Sequence, residues 1–141
     1  MDTFTLMQEA NSKWIKFINE TTDYDVELVN CVVDTEHNHK FTSGKWHIYS
    51  FWLNDSGESL KIGIAGPKSA ARFFSQHYNE NSTNSNLAKS LLKSNFCSSN
   101  AKGWIINNTY RVNVVFNDFN KPLAHALETH LHLLFNPIFE K

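Results

Sequence analysis

The chain has 141 residues, a net charge of −1 and a hydrophobic share of 41%, which suits one domain with a core of its own. An aromatic share of 13% excludes an intrinsically disordered chain, and no apolar run is long enough to span a membrane. Cys31 and Cys97 stand far apart without metal-ligand spacing, so they read as reduced thiols, with a chance disulfide left open. The N-terminus lacks the basic and apolar regions of a signal peptide, and the expectation is a cytoplasmic protein with no membrane partner.

Leu6, Met7, Ala10, Trp14, Phe17 and Ile18 recur at helical spacing and predict an amphipathic helix. Residues 23–36 fit two readings: their β-branched content favours a strand, whereas the spacing of Tyr24, Leu28 and Val32 also suits a helix. The polar run His37 to Gly44 is a connection. Residues 1–44 are therefore read as an N-terminal extension on a module spanning 45–141.

Lys45 to Leu53 has the alternation of a strand, Asn54-Asp55-Ser56-Gly57 is turn chemistry, and Ser59 to Ile64 is a second strand-like run. Together they predict a β-hairpin that places Tyr49 and Lys61 on neighbouring antiparallel strands. Gly66-Pro67-Lys68-Ser69 breaks the second strand, with Ser69 as a candidate cap for a helix whose stripe is Ala70, Phe73, Phe74 and His77. Arg72 and Gln76 lie on its flank. Tyr78 to Asn86 reads as a surface loop, and Leu87, Leu91 and Leu92 mark a short helix carrying Lys89 and Lys93. Tyr110, Val112, Val114 and Phe116 alternate as a third strand, and Pro122 opens a last helix with the stripe Leu123, Leu127, Leu131 and Leu134. The fold class expected is α/β of the α+β kind, a small three-stranded antiparallel sheet flanked by helices.

Charge is unevenly distributed. Residues 59–111 hold seven basic groups against Glu80 alone, a net of +6, while residues 1–58 carry −6. Such asymmetry can guide a polyanion to one face, with Lys68, Lys89, Lys93, Lys102 and Arg111 as the candidate nucleic-acid contacts. The alternative is that these are ordinary solvated side chains.

The triplets His47-Ile48-Tyr49 and Lys61-Ile62-Gly63, followed by Arg72 and later by Glu128 and Asn136-Pro137, resemble the GIY-YIG nuclease family. A lysine stands here where that family usually has its second tyrosine. The resemblance implies a metal-dependent endonuclease that hydrolyses phosphodiester bonds in DNA, single- or double-stranded, with one Mg²⁺ or Mn²⁺ held by Glu128. It implies that Tyr49 orients or deprotonates the water; a phenol in that role needs a nearby cation or metal-bound anion to lower its pKa, and Lys61 is the candidate cation. Arg72 would clamp the phosphate, as a guanidinium fork holds two oxygens at once. His77 and Asn136 would support the site, although His77 equally suits a core histidine.

Two further readings stand beside the nuclease. One is a nucleic-acid-binding module of the same fold with reduced catalysis, for which Lys61 is the main signal. The other is an RNA-directed nuclease. His125, Glu128 and His132 share a helical face, but lack the His-Glu-x-x-His spacing of a zinc site.

Overall fold

The computed structural model describes residues 2–82, 86–117 and 119–139. The first helix, α1 (Thr3–Thr21), starts where the Asp2 carboxylate accepts from the Thr5 N–H at 2.8 Å. It buries Met7, Ala10 and Trp14, and leaves Leu6 and Phe17 on its outer side. Asn19 then holds both backbone groups of Val26, accepting from its N–H at 2.8 Å and donating to its C=O at 2.9 Å. That clasp fixes the angle at which the chain enters β1 (Glu27–Asp34).

The two readings of residues 23–36 are thus resolved as a strand, and the expected three-stranded sheet has four strands. β2 (Trp46–Leu53), β3 (Ser59–Ala65) and β4 (Thr109–Asn117) complete it in the order β1-β4-β2-β3, all antiparallel. The hairpin β2–β3 closes as expected, with Gly57 at φ +72 donating its N–H to the Leu53 carbonyl at 2.9 Å. Beyond β3, the N–H groups of Ile138 and Phe139 donate to the Ser59 and Leu60 carbonyls, both at 3.0 Å, which covers that sheet edge.

Each face of the sheet has its own core. One face presents Ile48, Trp52, Ile62, Val112, Val114 and Phe116 to α1 and to α5 (Lys121–Phe135), which contributes Leu123, Ala124, Leu127 and Leu131. Leu134, expected in that stripe, is 53% exposed. The other face presents Tyr49, Phe51, Leu60 and Ala65 to a layer of short helices. That layer consists of α2 (Ala70–Phe73), a 3₁₀ turn (Ser75–Tyr78), α3 (Leu87–Lys93) and α4 (Ala101–Asn108).

The helical layer departs from the sequence expectation in two ways. The helix expected after Ser69 is broken at Phe74, whose φ −128 and ψ −78 interrupt the ladder, and the Ser69 hydroxyl makes no capping bond. α4 is an additional helix, opened by Asn100, whose side chain accepts from the Gly103 N–H at 3.2 Å. The surface loop expected from Tyr78 to Asn86 includes residues 83–85, which lie outside the described residues.

Candidate functional site

The strand register puts the candidate residues in two rows on the face beneath the short helices. Asp34, Arg111, Phe51 and Lys61 form one row, and Val32, Asn113, Tyr49 and Gly63 the next. Side chains two apart on a strand share a face, so both rows point at the helical layer. Tyr49, Arg111 and Asn113 are fully buried there and Lys61 is 2% exposed.

Arg111 lies at the centre. Its guanidinium carbon stands 4.6, 4.8 and 4.9 Å from the ring centres of Phe51, Phe73 and Phe74. Nη2 donates to the Phe73 carbonyl at 2.5 Å and Nη1 to the Tyr78 hydroxyl at 3.3 Å, while Nε has no hydrogen-bond partner. Asp34 sits opposite it in register, but that carboxylate accepts from the Asn38 and His39 N–H groups at 3.2 and 3.0 Å. Among the described residues no carboxylate lies within ion-pair distance of Arg111. Burial lowers its pKa from the ordinary arginine value.

A relay leads from Arg111 towards the surface. His37 Nε2 donates to the Thr109 carbonyl at 2.8 Å, which leaves Nδ1 to accept from the Tyr78 hydroxyl at 2.7 Å. His37 adopts φ 58, a left-handed conformation uncommon for a side-chain-bearing residue. Burial pushes Tyr78 up to about 12 and lowers His37. Both line a groove of about 710 Å³ that also takes in Glu80, Asn100 and Lys102.

His77 is fully buried, its ring centre 4.5 Å from that of Tyr49 and 5.5 Å from that of Phe51. Neither of its ring nitrogens makes a hydrogen bond of normal geometry. Burial, followed by the charges of Arg111, Lys61 and Arg72, holds it well below the ordinary histidine value, and the nearby Arg72 backbone offsets little of this. His47, on the same face, donates from Nδ1 to the Lys45 carbonyl at 3.0 Å and accepts at Nε2 from the Thr42 N–H at 3.1 Å. Burial brings it down to about 4.

The structure therefore brings Tyr49, Lys61, Arg72 and His77 to one side of the sheet, with Arg111 among them. Glu128 is carried by α5, the helix packed on the other face, with its side chain 23% exposed and 3.8 Å from His125 Nδ1. Asn136 ends that helix in the left-handed conformation, φ 46 and ψ 62, and its N–H donates to the His132 carbonyl at 2.9 Å. That is the role of a helix cap, for which asparagine is favoured after glycine. Lys68, Lys89, Lys93 and Lys102 are exposed. Arg111 is a correction: expected on a nucleic-acid surface, it is enclosed by aromatic rings because α2 and the 3₁₀ turn cover its face of the sheet.

The relay through His37 and Tyr78 is not expected from the sequence, where both residues fall in predicted connections. The available signal was the phase of β4. With Tyr110, Val112, Val114 and Phe116 facing one core, Arg111 and Asn113 must share the opposite face with Tyr49. Comparison with known protein families, with curated proteins and with solved structures returns no match to this chain.

Proposed function

We propose that the chain is a nucleic-acid-binding module with a GIY-YIG-like order of strands and helices and no working hydrolytic centre. The observation that carries this reading is a contrast in exposure. Tyr49 and Lys61, the residues of the two triplets that would do chemistry, are 0% and 2% exposed, whereas Lys68, Lys89, Lys93 and Lys102 stand in solvent on the layer above them. The Tyr49 hydroxyl has essentially no accessible surface, so a phosphate at the surface has no line to it. Surface lysines suffice for sequence-independent binding, which rests on neutralising phosphates and releasing counterions.

The described residues do not fit a metal beside Tyr49. The one carboxylate proposed as a ligand, Glu128, belongs to the helix on the other face of the sheet. Among the described residues no three His, Cys, Asp or Glu side chains gather into a metal-binding group.

The test is incubation with labelled single-stranded DNA, duplex DNA and RNA, in Mg²⁺ and in EDTA. Binding without cleavage, equal in both conditions, is the expected result. Mg²⁺-dependent cleavage that is lost in Glu128→Ala would establish the endonuclease reading instead. No binding to any of the three would remove nucleic acid as the partner.

The endonuclease reading keeps one specific support. Arg72 is only partly buried on α2, and its charge, with those of Lys61 and Arg111, is felt at His77. A phosphate clamp in that position has two further cations behind it. If Lys61 works with Tyr49, Lys61→Tyr retains or gains cleavage while Lys61→Ala loses it.

A further inference from the structure

On the side of the molecule away from the short helices, α1 and α5 enclose an apolar groove of about 740 Å³, lined by Leu6, Ala10, Trp14, Phe17 and Leu134. Phe17 is 61% exposed and Leu6 40%, a cost in water that a single chain does not recover. The two lie eleven residues apart on α1, about three helical turns, and so point the same way. Lys13 falls between them on that stripe, and Glu9 and Lys16 lie along one flank.

We infer that this face is an isologous interface with a second copy of the chain, formed by antiparallel pairing of α1 with its own symmetry mate. The sequence of α1 is self-complementary about a point between Asn11 and Ser12. Pairing centred there sets Leu6 opposite Phe17 of the second copy, and Phe17 opposite that copy's Leu6. Each Phe17 then enters the other copy's groove beside Leu6 and Leu134.

The charges agree with the same register. A two-fold axis across antiparallel helices brings each flank against the same flank of its mate. Glu9 then sits about 1.5 Å along the axis from Lys13 of the second copy and about 3 Å from its Lys16. The contact repeats by symmetry, giving two Glu-to-Lys clusters that flank the apolar centre. The parallel arrangement would set Lys13, on the central stripe, against Lys13 of the second copy and part each Glu9 from the other copy's Lys16 flank, which like-charge repulsion and the lost pairing disfavour.

The experiment is sedimentation equilibrium of the full chain from low micromolar to submillimolar concentration. The wild type is expected at the mass of two chains. Glu9→Lys, which turns each cluster into three lysines, raises the dissociation constant by at least about tenfold, and Phe17→Ser gives a single chain. The triple variant Glu9→Lys, Lys13→Glu, Lys16→Glu restores attraction in the same register and returns the constant to near the wild-type value. A wild type at single-chain mass throughout, or a triple variant no tighter than Glu9→Lys, overturns the inference.

Discussion

Tyr49 on β2 lies across Gly63, its partner on β3, so closely that a Cβ on the glycine would fall 2.3 Å from the phenol oxygen and 2.5 Å from Cζ. The glycine is needed for this approach, since any side chain would occupy the place of the ring. Tyr49 and Gly63, from the two triplets of the sequence, are therefore joined by packing. Gly63→Ala must displace a fully buried ring, and overpacking of this kind costs about 1–3 kcal/mol. Tyr49→Val opens the space, so adding Gly63→Ala to it should be nearly neutral. Urea unfolding of the two single variants and the double one measures the coupling. If the two changes simply add, the ring does not depend on the glycine.

Arg111 is a cation with no carboxylate within ion-pair distance among the described residues, held by rings, a carbonyl and a phenol. Arg111→Ala removes that bulk and leaves the Phe73 carbonyl and Tyr78 hydroxyl without their donor. A loss of about 3–5 kcal/mol is expected, in the range of large core truncations. Arg111→Met restores the volume without the charge and should recover much of the loss, because a buried ion is itself costly to desolvate. A methionine variant less stable than the alanine one would mean that the positive charge itself holds this core together.

The buried histidines make stability depend on pH in a defined direction. His47 titrates at about 4 in the fold against an ordinary value near 6.5, and His37 and His77 are lowered as well. The unfolded chain therefore binds more protons between these values. The stability from neutral His47 is complete above about pH 6.5, and is lost progressively as pH falls from there towards 4. For His47 alone the full difference is on the order of 3 kcal/mol. Its Nε2 accepts the Thr42 N–H, a bond that protonation breaks. Chemical unfolding across pH 7.5 to 4.5 should show stability falling with pH, and His47→Gln should flatten that fall; identical slopes in the two proteins would remove His47 as a source.

The hairpin, the last strand and α5 were legible because each carries a local signal: turn residues at 54–57, alternation at 110–116, and a proline followed by spaced leucines. β1 was not, since as an edge strand it has no buried stripe, and only its pairing with β4 decides between strand and helix. The same kind of long-range fact decided the candidate site. Arg111 sits in an alternating strand where the second face of a three-stranded sheet would meet water, and the short helices turn that face into a core. Asn136 matched a motif position and proved to be a left-handed cap, a role asparagine also fills by local chemistry. Glu128 and Tyr49 both match positions of the same family pattern, but order in sequence does not say which face of the sheet a helix covers.

The exposed lysines offer the direct test of the proposed binding surface. Lys89 and Lys93 both lie on α3, and Lys102 on α4, which packs beside it. Lys89 also donates from Nζ to the Ser82 carbonyl at 2.9 Å, which a phosphate oxygen can replace. If this layer is the nucleic-acid face, each lysine neutralises about one phosphate, and affinity falls steeply with salt. Replacing Lys89 and Lys93 together should flatten the slope of log affinity against log salt by about one to two. Replacing Lys121, on α5 at the other side, should leave the slope unchanged, and so should Arg111→Met, whose charge is enclosed. Fluorescence anisotropy with a labelled oligonucleotide over a salt series reads all four proteins. An equal slope for the wild type and the double variant would move the binding surface away from α3.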